Sequence, residues 1–182
     1  MTNAVPTLKT KRLFLKPLTL EDVPNYSKYF IEYEVIRHLS HVVPWPYPKD
    51  GVVDYLETFI LPSQGIDRWT WGIFMQNTPS ELIGCIDLWR EGHPENRGFW
   101  LGKPFWGQGL MTEAAEAVTN FAFQNLDFDK LVFSNALGNI RSRRIKEKTG
   151  ARFVGTRPAK FVDPSLTEAE TWELNKNDWQ KL

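Results

Sequence analysis

Cysteine and histidine are scarce in this sequence, and the few that occur do not form a recognisable site. Cys85 is the single cysteine, so an intramolecular disulfide and a zinc site built from several cysteines are both excluded. His38, His41 and His93 follow none of the spacings that are typical of metal ligands. We therefore predict a protein without a metal site, in a reducing, cytoplasmic compartment, with Cys85 as a small buried hydrophobe of a strand.

Long apolar runs and an excess of one charge are also missing. No stretch approaches the roughly 20 apolar residues that span a bilayer, and the first residues lack the basic start and apolar middle of a signal peptide. Lys plus Arg and Asp plus Glu both number 22, which argues against a surface built to coat nucleic acid or a membrane. We expect no membrane partner, and nucleic-acid binding is left as a minor alternative.

The size and the periodicities predict one compact domain over residues 1–182, of which 42% are apolar. Predicted helices run from Thr19 through Tyr33, over 50–60, after Gly109 and over 140–149. Predicted strands span 12–18, 69–75, 81–89, 96–101, 131–135, 153–156 and 171–174. Because hairpins and crossovers alternate in this order, we predict a three-layer α+β fold with a mixed, mostly antiparallel sheet of six to seven strands and about four helices.

The most informative segment joins a strand to a helix through a glycine-bearing turn, Phe99-Trp-Leu-Gly-Lys-Pro-Phe-Trp-Gly-Gln-Gly-Leu-Met-Thr-Glu-Ala114. Gly107 and Gly109 allow the backbone to approach a ligand, and free N–H groups at the helix start favour anionic oxygens. The pattern is typical of a pyrophosphate cradle and equally of a turn that needs glycine for steric reasons. It lacks the Gly-Lys-Ser/Thr ending of a nucleoside triphosphate loop and the third glycine of a dinucleotide fold.

A basic segment surrounds the predicted helix 140–149. Nine Lys or Arg residues and two acidic residues lie between Asp129 and Lys160. Asn139 is placed to cap that helix, with Ser142 and Lys146 on one face. The segment is either a solvated helix face or a dock for a phosphorylated ligand. A DNA-reading helix is disfavoured because no partner helix of the helix-turn-helix type accompanies it.

Together these motifs resemble the GNAT acetyltransferases, and among them the ribosomal-protein N-terminal acetyltransferases. The resemblance is carried by Thr10–Asp22, Leu82–Asp87, Gly98–Ala114 and Asn139–Gly150. It implies that two central strands splay apart, that acetyl-CoA binds in the gap as a co-substrate, and that a primary amine attacks it directly in a ternary complex. The amine would be a protein N-terminus or a small molecule. The alternative is a non-catalytic module that binds acyl-CoA as a sensor.

The resemblance also implies which residues contact the cofactor. These are the backbone of Trp100 and Leu101, the loop residues Trp106, Gly107, Gln108, Gly109, Leu110, Met111 and Thr112, and, near the thioester, Asn139 and Ser142. The chain departs from the family pattern at three positions. Pro104 stands where Gln or Arg is common, Asn96 where a glutamate is frequent, and Lys146 where many members carry a tyrosine that acts as the acid.

These departures bear on the acceptor. An α-amino group with a pKa near 8 is partly neutral at neutral pH, whereas a lysine amine near 10.4 is about 0.1% neutral, a difference of roughly 4 kcal/mol that a catalytic base would have to offset. A chain without an obvious carboxylate and tyrosine pair therefore favours an α-amino acceptor. The oligomeric state is left open between a monomer and a homodimer.

We predict Asp87 as the catalytic base and Ser142 as the group that donates to the departing sulfur. A mid-strand carboxylate is costly to bury without a purpose, although an arginine partner would also account for Asp87. Glu170, on a strand expected at a sheet edge, is the next candidate for the base. His41 and His93 are either proton relays or ordinary loop histidines.

Two aromatic segments are candidates for the walls of the acceptor pocket. They are the proline-rich loop from His41 to Pro48 and the region from Trp69 to Trp71. Aromatic side chains there would suit a peptide or an aromatic small molecule, and they are equally compatible with ordinary packing.

Overall fold

Eight strands form one mixed sheet in the order β1-β2-β3-β4-β5-β6-β8-β7. The computed structural model describes residues 5–90 and 94–179. The strands are β1 Leu8–Lys9, β2 Leu13–Pro17, β3 Arg68–Met75, β4 Thr78–Trp89, β5 Arg97–Leu101, β6 Lys130–Ala136, β7 Arg152–Pro158 and β8 Glu168–Asn175. Neighbouring strands are antiparallel except β5 and β6, which are parallel. The α+β prediction is confirmed, with one strand more than the maximum expected because β1 is too short to show a periodicity.

Six α-helices occur in the described ranges, two more than the predicted four. They are α1 Val23–Phe30, α2 Tyr33–Ile36, α3 Gly51–Tyr55, α4 Leu110–Asn125, α5 Ile140–Lys148 and α6 Lys176–Trp179. The predicted helix from Thr19 through Tyr33 is divided because Glu32 has an extended backbone and starts α2 as its N-cap. The short helix α6 was not predicted. Among the described helices, none is long and apolar enough to cross a membrane.

Each face of the sheet carries its own core. On one face, α4 buries Met111, Ala114, Ala115, Val118 and Ala122, all at most 5% exposed, which confirms the helical periodicity of that segment. On the other face, α1 to α3 pack on β3 to β5 in a second apolar cluster. Cys85 belongs to this second cluster and is buried, as predicted.

The two central strands β5 and β6 separate soon after they meet. They are in register at Arg97 and Phe133, where Asn96 N donates to Val132 O at 2.7 Å and Val132 N donates to Asn96 Oδ1 at 2.8 Å. Further along, β5 follows β4 and β6 follows β8. The predicted splay is therefore present, and α4 and α5 both begin at the open, C-terminal ends of the two strands.

Strand β8 lies inside the sheet, between β6 and β7. The expectation that it forms an edge was wrong, because the neighbours of a strand depend on how distant segments pair. As a result Glu170 is only 2% exposed. The edge at this end of the sheet is β7.

Candidate active site

A cavity of about 690 Å³ follows the gap between β5 and β6. On the α4 side of the sheet it is lined by the glycine loop and by α5. On the opposite side it is lined by residues of α2, by residues 38–42, and by Arg157, Ala159, Lys160 and Phe161. The lining therefore comes from both faces of the sheet, so two different ligands can meet inside one cavity.

The glycine loop has the backbone geometry of an anion site. Gly107 and Gly109 both have φ of +75°, a left-handed conformation that favours glycine, and α4 begins directly after them. A Cβ on Gly107 would meet nothing within 4 Å, so backbone conformation rather than crowding requires this glycine. The first N–H groups of α4 have no intrahelical acceptor and lie at the positive end of the helix dipole. The loop can thus hold a pyrophosphate.

An ion pair from the turn between β1 and β2 supports this loop. Glu113 accepts hydrogen bonds from Arg12 N and Arg12 Nε, both at 2.7 Å, and from the Thr10 hydroxyl. Arg12 Nη1 also donates to the carbonyl oxygen of Gln108 at 2.9 Å. Burial raises the pKa of Glu113, but the hydrogen bonds from Thr10 and Arg12 outweigh it and leave the pKa below its ordinary value. The sequence carried no signal for this support, because the partners are far apart in the chain.

Helix α5 presents Ser142 to the other side of the gap. Asn139 caps the helix as predicted, and its Oδ1 accepts from Ser142 N at 3.3 Å. Ser142 is among the lining residues, and its Oγ accepts a hydrogen bond from Lys146 Nζ at 2.8 Å. Burial lowers the pKa of Lys146 well below its ordinary value, and the charge of Arg97 lowers it further. The residue at the position of the family tyrosine is therefore a buried lysine that contacts Ser142.

The lining is positively charged overall. It contains six Lys or Arg residues and two glutamates, Glu34 and Glu95. The basic residues are Arg97, Arg141, Arg144, Lys148, Arg157 and Lys160. Arg141 stacks over Trp106, with its guanidinium carbon 4.0 Å from the ring centroid, and so connects α5 to the glycine loop. The basic segment therefore faces the cavity, which favours the interpretation as a dock for a phosphorylated ligand.

The cofactor residues implied by the resemblance come together around this cavity. All of them are in its lining except Gln108, whose amide turns back to donate to Pro104 O at 3.1 Å. The buried atoms Asn135 Oδ1 and Arg97 Nη2, both from lining residues, have no hydrogen-bond partner among the described residues. A glycine loop for phosphates and unpaired polar groups along the gap fit the pyrophosphate and amide groups of acetyl-CoA.

Asp87 lies outside the lining. Its carboxylate accepts from Arg68 Nη2 at 2.5 Å and from the Thr70 hydroxyl, and Arg68 also donates to the Tyr55 hydroxyl at 2.6 Å. Both side chains of the ion pair are 15% exposed. The arginine partner that the sequence left as an alternative is therefore present, and the role of Asp87 as a base stays a prediction.

Glu170 also lies outside the lining, where three side chains hold it. It accepts from Asn135 Nδ2 at 3.0 Å, from Arg143 at 3.2 Å and from Trp172 Nε1 at 3.3 Å. Its contact with Asn135, which lines the cavity, makes it a support for that side chain.

The acceptor side of the cavity differs from the expectation. Of the proline-rich loop, His41 and Val42 line the cavity. Trp69 and Trp71 are at most 1% exposed and belong to the core against α4, so the prediction that they wall the pocket was wrong. The alternation of β3 turns both rings toward that core. His93 lies outside the described residues.

His38, for which the sequence predicts only that it is not a metal ligand, also lines the cavity. It is half-buried beside α2, and burial together with the charges of Arg37 and Arg141 lowers its pKa below the ordinary value. A neutral imidazole at pH 7 can accept a proton from an amine. No spacing pattern could have revealed it, because its environment is formed by residues from other elements.

The described residues contain no group of three or more His, Cys, Asp or Glu side chains that could hold a metal ion. The groups that line the cavity can support hydrogen bonding, charge stabilisation and proton transfer. That is the set of tasks needed for transfer of an acyl group to an amine.

Known proteins are similar to this chain in sequence and in fold. A family model for the acetyltransferase (GNAT) domain matches residues 12–152. The chain is 29% identical to the Bacillus subtilis (strain 168) protein named "Putative ribosomal N-acetyltransferase YdaF" over 110 residues, 60% of this chain and 60% of that protein. It is 25% identical over 193 residues to the FsC-acetyl coenzyme A-N(2)-transacetylase of Aspergillus fumigatus, which covers 98% of this chain and 80% of that protein.

The fold is similar to that of RimL, a ribosomal L7/L12 alpha-N-protein acetyltransferase solved in complex with coenzyme A. The TM-score is 0.76 at 19% identity, with 94% of this chain and 97% of that chain covered. The family match includes the glycine loop, both splayed strands and α5, which contribute much of the cavity lining. The chain therefore belongs to the GNAT family and is an acetyltransferase.

Proposed function

We propose that this protein transfers the acetyl group of acetyl-CoA to a primary amine by direct attack in a ternary complex. The observation that carries the proposal is that one cavity is lined from both faces of the sheet, with the glycine loop on one face and α2 on the other. The one cysteine is buried among apolar side chains, which supports direct attack over transfer through a cysteine thioester.

Three residue groups divide the work. The glycine loop and the first turn of α4 bind the pyrophosphate of acetyl-CoA, and Asn139 and Ser142 lie near the thioester. When bound, acetyl-CoA supplies the activated acetyl group. The amine enters past His38 and His41, its nitrogen attacks the carbonyl carbon, and Ser142 stabilises the sulfur as it leaves.

The acceptor is proposed to be an α-amino group, either of a protein N-terminus or of a small molecule. The two glutamates in the lining, Glu34 and Glu95, are ion-paired with Arg37 and Arg157, which favours an amine that is already partly neutral. The relative named for ribosomal acetylation supports a protein acceptor, and the one named as an FsC transacetylase supports a small-molecule acceptor.

The test is a release assay for free CoA with three acceptors. These are a peptide with a free N-terminus, the same peptide capped at its N-terminus and carrying one lysine, and a polyamine. We expect the free N-terminus to be acetylated fastest. Acetyl-CoA binding without acceptor-stimulated CoA release would contradict the enzymatic proposal and support a sensor, and a preference for lysine or polyamine would contradict the α-amino acceptor.

A further inference from the structure

A buried lysine lies directly behind Ser142 on α5. Lys146 is 1% exposed, and its Nζ donates to Ser142 Oγ at 2.8 Å and approaches the carbonyl oxygen of Ser142 at 3.4 Å. Ser142 lines the cavity, whereas Lys146 does not. Lys146 therefore acts on the cavity through its hydrogen bond to the Ser142 hydroxyl.

Packing alone does not account for this lysine. The two carboxylates whose charges act on it, Glu170 and Glu95, are ion-paired with Arg143 and Arg157 instead. A buried cation without an ion-pair partner destabilises a fold by its desolvation, and an apolar side chain of similar length would avoid that cost. A residue that weakens the fold at the edge of the cavity calls for a role in the reaction.

The hydrogen bond fixes the direction of the serine proton. A hydroxyl group has one proton to donate and two lone pairs that accept. Lys146 occupies a lone pair of Ser142 from the protein side, and the capping bond from Ser142 N to Asn139 Oδ1 holds the serine backbone. The remaining direction for the O–H group is the cavity.

We propose that Lys146 is a positioning residue for Ser142, whose hydroxyl it holds as an acceptor so that the serine proton points at the sulfur of the acyl donor. This inference rests on the proposed function. As the amine nitrogen bonds to the carbonyl carbon, the C–S bond breaks and its electron pair moves to sulfur. Ser142 donates a hydrogen bond to that thiolate, and the proton lost by the amine passes through His38 to solvent. The products are the amide, CoA thiolate and one proton.

Other charged groups surround the pair and must be separated from its effect. Arg97 on β5 is 4% exposed and acts on Lys146 as a second buried cation, while Glu170 on β8 and Glu95 ahead of β5 act in the opposite sense. The ring of Phe99 lies 5.7 Å from Lys146 Nζ. The ammonium of Lys146 has three N–H donors and no acceptor, so it can only donate to the Ser142 hydroxyl.

The decisive experiment titrates the thiol of bound CoA by the ultraviolet absorbance of its thiolate, which needs no acceptor. We compare the wild type with Lys146→Met, Lys146→Gln, Ser142→Ala and the Lys146→Met/Ser142→Ala double variant. We expect the thiol to titrate at higher pH in Lys146→Met and in Ser142→Ala, and the double variant to match Ser142→Ala. In Lys146→Gln, which keeps an N–H donor without charge, the thiol should titrate at a pH between those of the wild type and Lys146→Met.

Turnover and stability provide the second readout. With the best acceptor, we expect Lys146→Met to lower kcat by about tenfold to a hundredfold, the range for a hydrogen bond to a charged group, with KM for acetyl-CoA unchanged. Its melting temperature should stay equal or rise, because a desolvated cation has been removed. A purely structural lysine would give a lower melting temperature together with parallel losses in kcat and KM.

The outcomes separate this inference from the proposed function. A shifted thiol titration in Lys146→Met without any acetylated amine in the wild type would support Lys146 and contradict the proposed activity. An unshifted titration, a wild type that does not bind CoA, a double variant with additive losses, or a Lys146→Met protein that melts lower or does not fold would each overturn the positioning role.

Discussion

Arg12 and Glu113 lie 101 residues apart in the sequence and form an ion pair of 2.7 Å beside the glycine loop. The same guanidinium reaches the carbonyl oxygen of Gln108. Arg12, directly before β2, therefore holds both the loop and the first turn of α4. We expect cofactor binding to depend on this residue, which does not belong to the loop motif.

Removal of this support should weaken acetyl-CoA binding. We expect Arg12→Met to raise KM for acetyl-CoA by about fivefold, the effect of one lost hydrogen bond of roughly 1 kcal/mol, with kcat unchanged. Steady-state kinetics with Lys11→Met, a change at the neighbouring exposed lysine, is the matched control. An unchanged KM in Arg12→Met would show that the loop holds its shape without the arginine.

The glycine loop makes a direct prediction for binding. A carboxylate at Gly107 would repel the pyrophosphate and strain a backbone at φ of +75°. We expect Gly107→Asp to abolish the heat of acetyl-CoA binding in calorimetry. Gly65→Asp carries the same φ of +75° outside the cavity lining and controls for strain. Equal affinity in Gly107→Asp and the wild type would refute the anion site.

A substitution of Asp87 distinguishes a catalytic base from a structural ion-pair partner. Because its carboxylate compensates Arg68 and lies outside the cavity lining, we expect Asp87→Asn to lower the free energy of unfolding by about 2 to 3 kcal/mol and to change kcat of the folded enzyme little. Urea denaturation and kcat measured on the same preparation distinguish the two roles. A large fall in kcat at unchanged stability would instead identify Asp87 as the base.

His38 is expected to accept the proton of the incoming amine. Since its pKa lies below the ordinary value, the imidazole is neutral at pH 7, and His38→Gln should lower kcat/KM for the amine by about a hundredfold, the lower end of proton-transfer catalysis. His41→Gln, at the other lining histidine, is the matched variant and should change kcat/KM little. Equal effects of the two substitutions would speak against a specific role for His38.

The buried lysine makes a prediction for stability as a function of pH. Burial lowers the pKa of Lys146 below its unfolded value of 10.5, so between the two values the unfolded chain binds a proton that the native protein does not. The free energy of unfolding therefore rises with pH through this window and loses the gain as pH falls through the folded pKa. Urea midpoints in the alkaline range should show a weaker rise in Lys146→Met, and an equal rise would contradict this.

A second buried cation sets the remaining slope. Burial lowers the pKa of Arg97 to about 9, so its contribution to the rise in stability is confined to higher pH and persists in Lys146→Met. Urea midpoints of the wild type and of Lys146→Met over the same pH range separate the contributions of Lys146 and Arg97.

The features that can be predicted from the sequence are those that depend on short stretches of chain. The positive φ of Gly107 and Gly109, the capping bond of Asn139, and the apolar face of α4 follow from local backbone geometry and helical spacing. The family motif, which is also local, placed the cofactor residues around one cavity with Gln108 as the exception. Such features are readable because a residue and its neighbours in the chain fix the conformation that these turns and helices need.

The surroundings of each chemical group, in contrast, depend on how distant segments pack together. The place of β8 inside the sheet buried Glu170, the pairing of β3 with β4 supplied Arg68 to Asp87, and the packing of α5 on the sheet buried Lys146 behind Ser142. Burial, ion pairing and pKa depend on distances between residues that are far apart in sequence. Those distances are set by which strands pair with each other, and no local sequence pattern encodes that pairing.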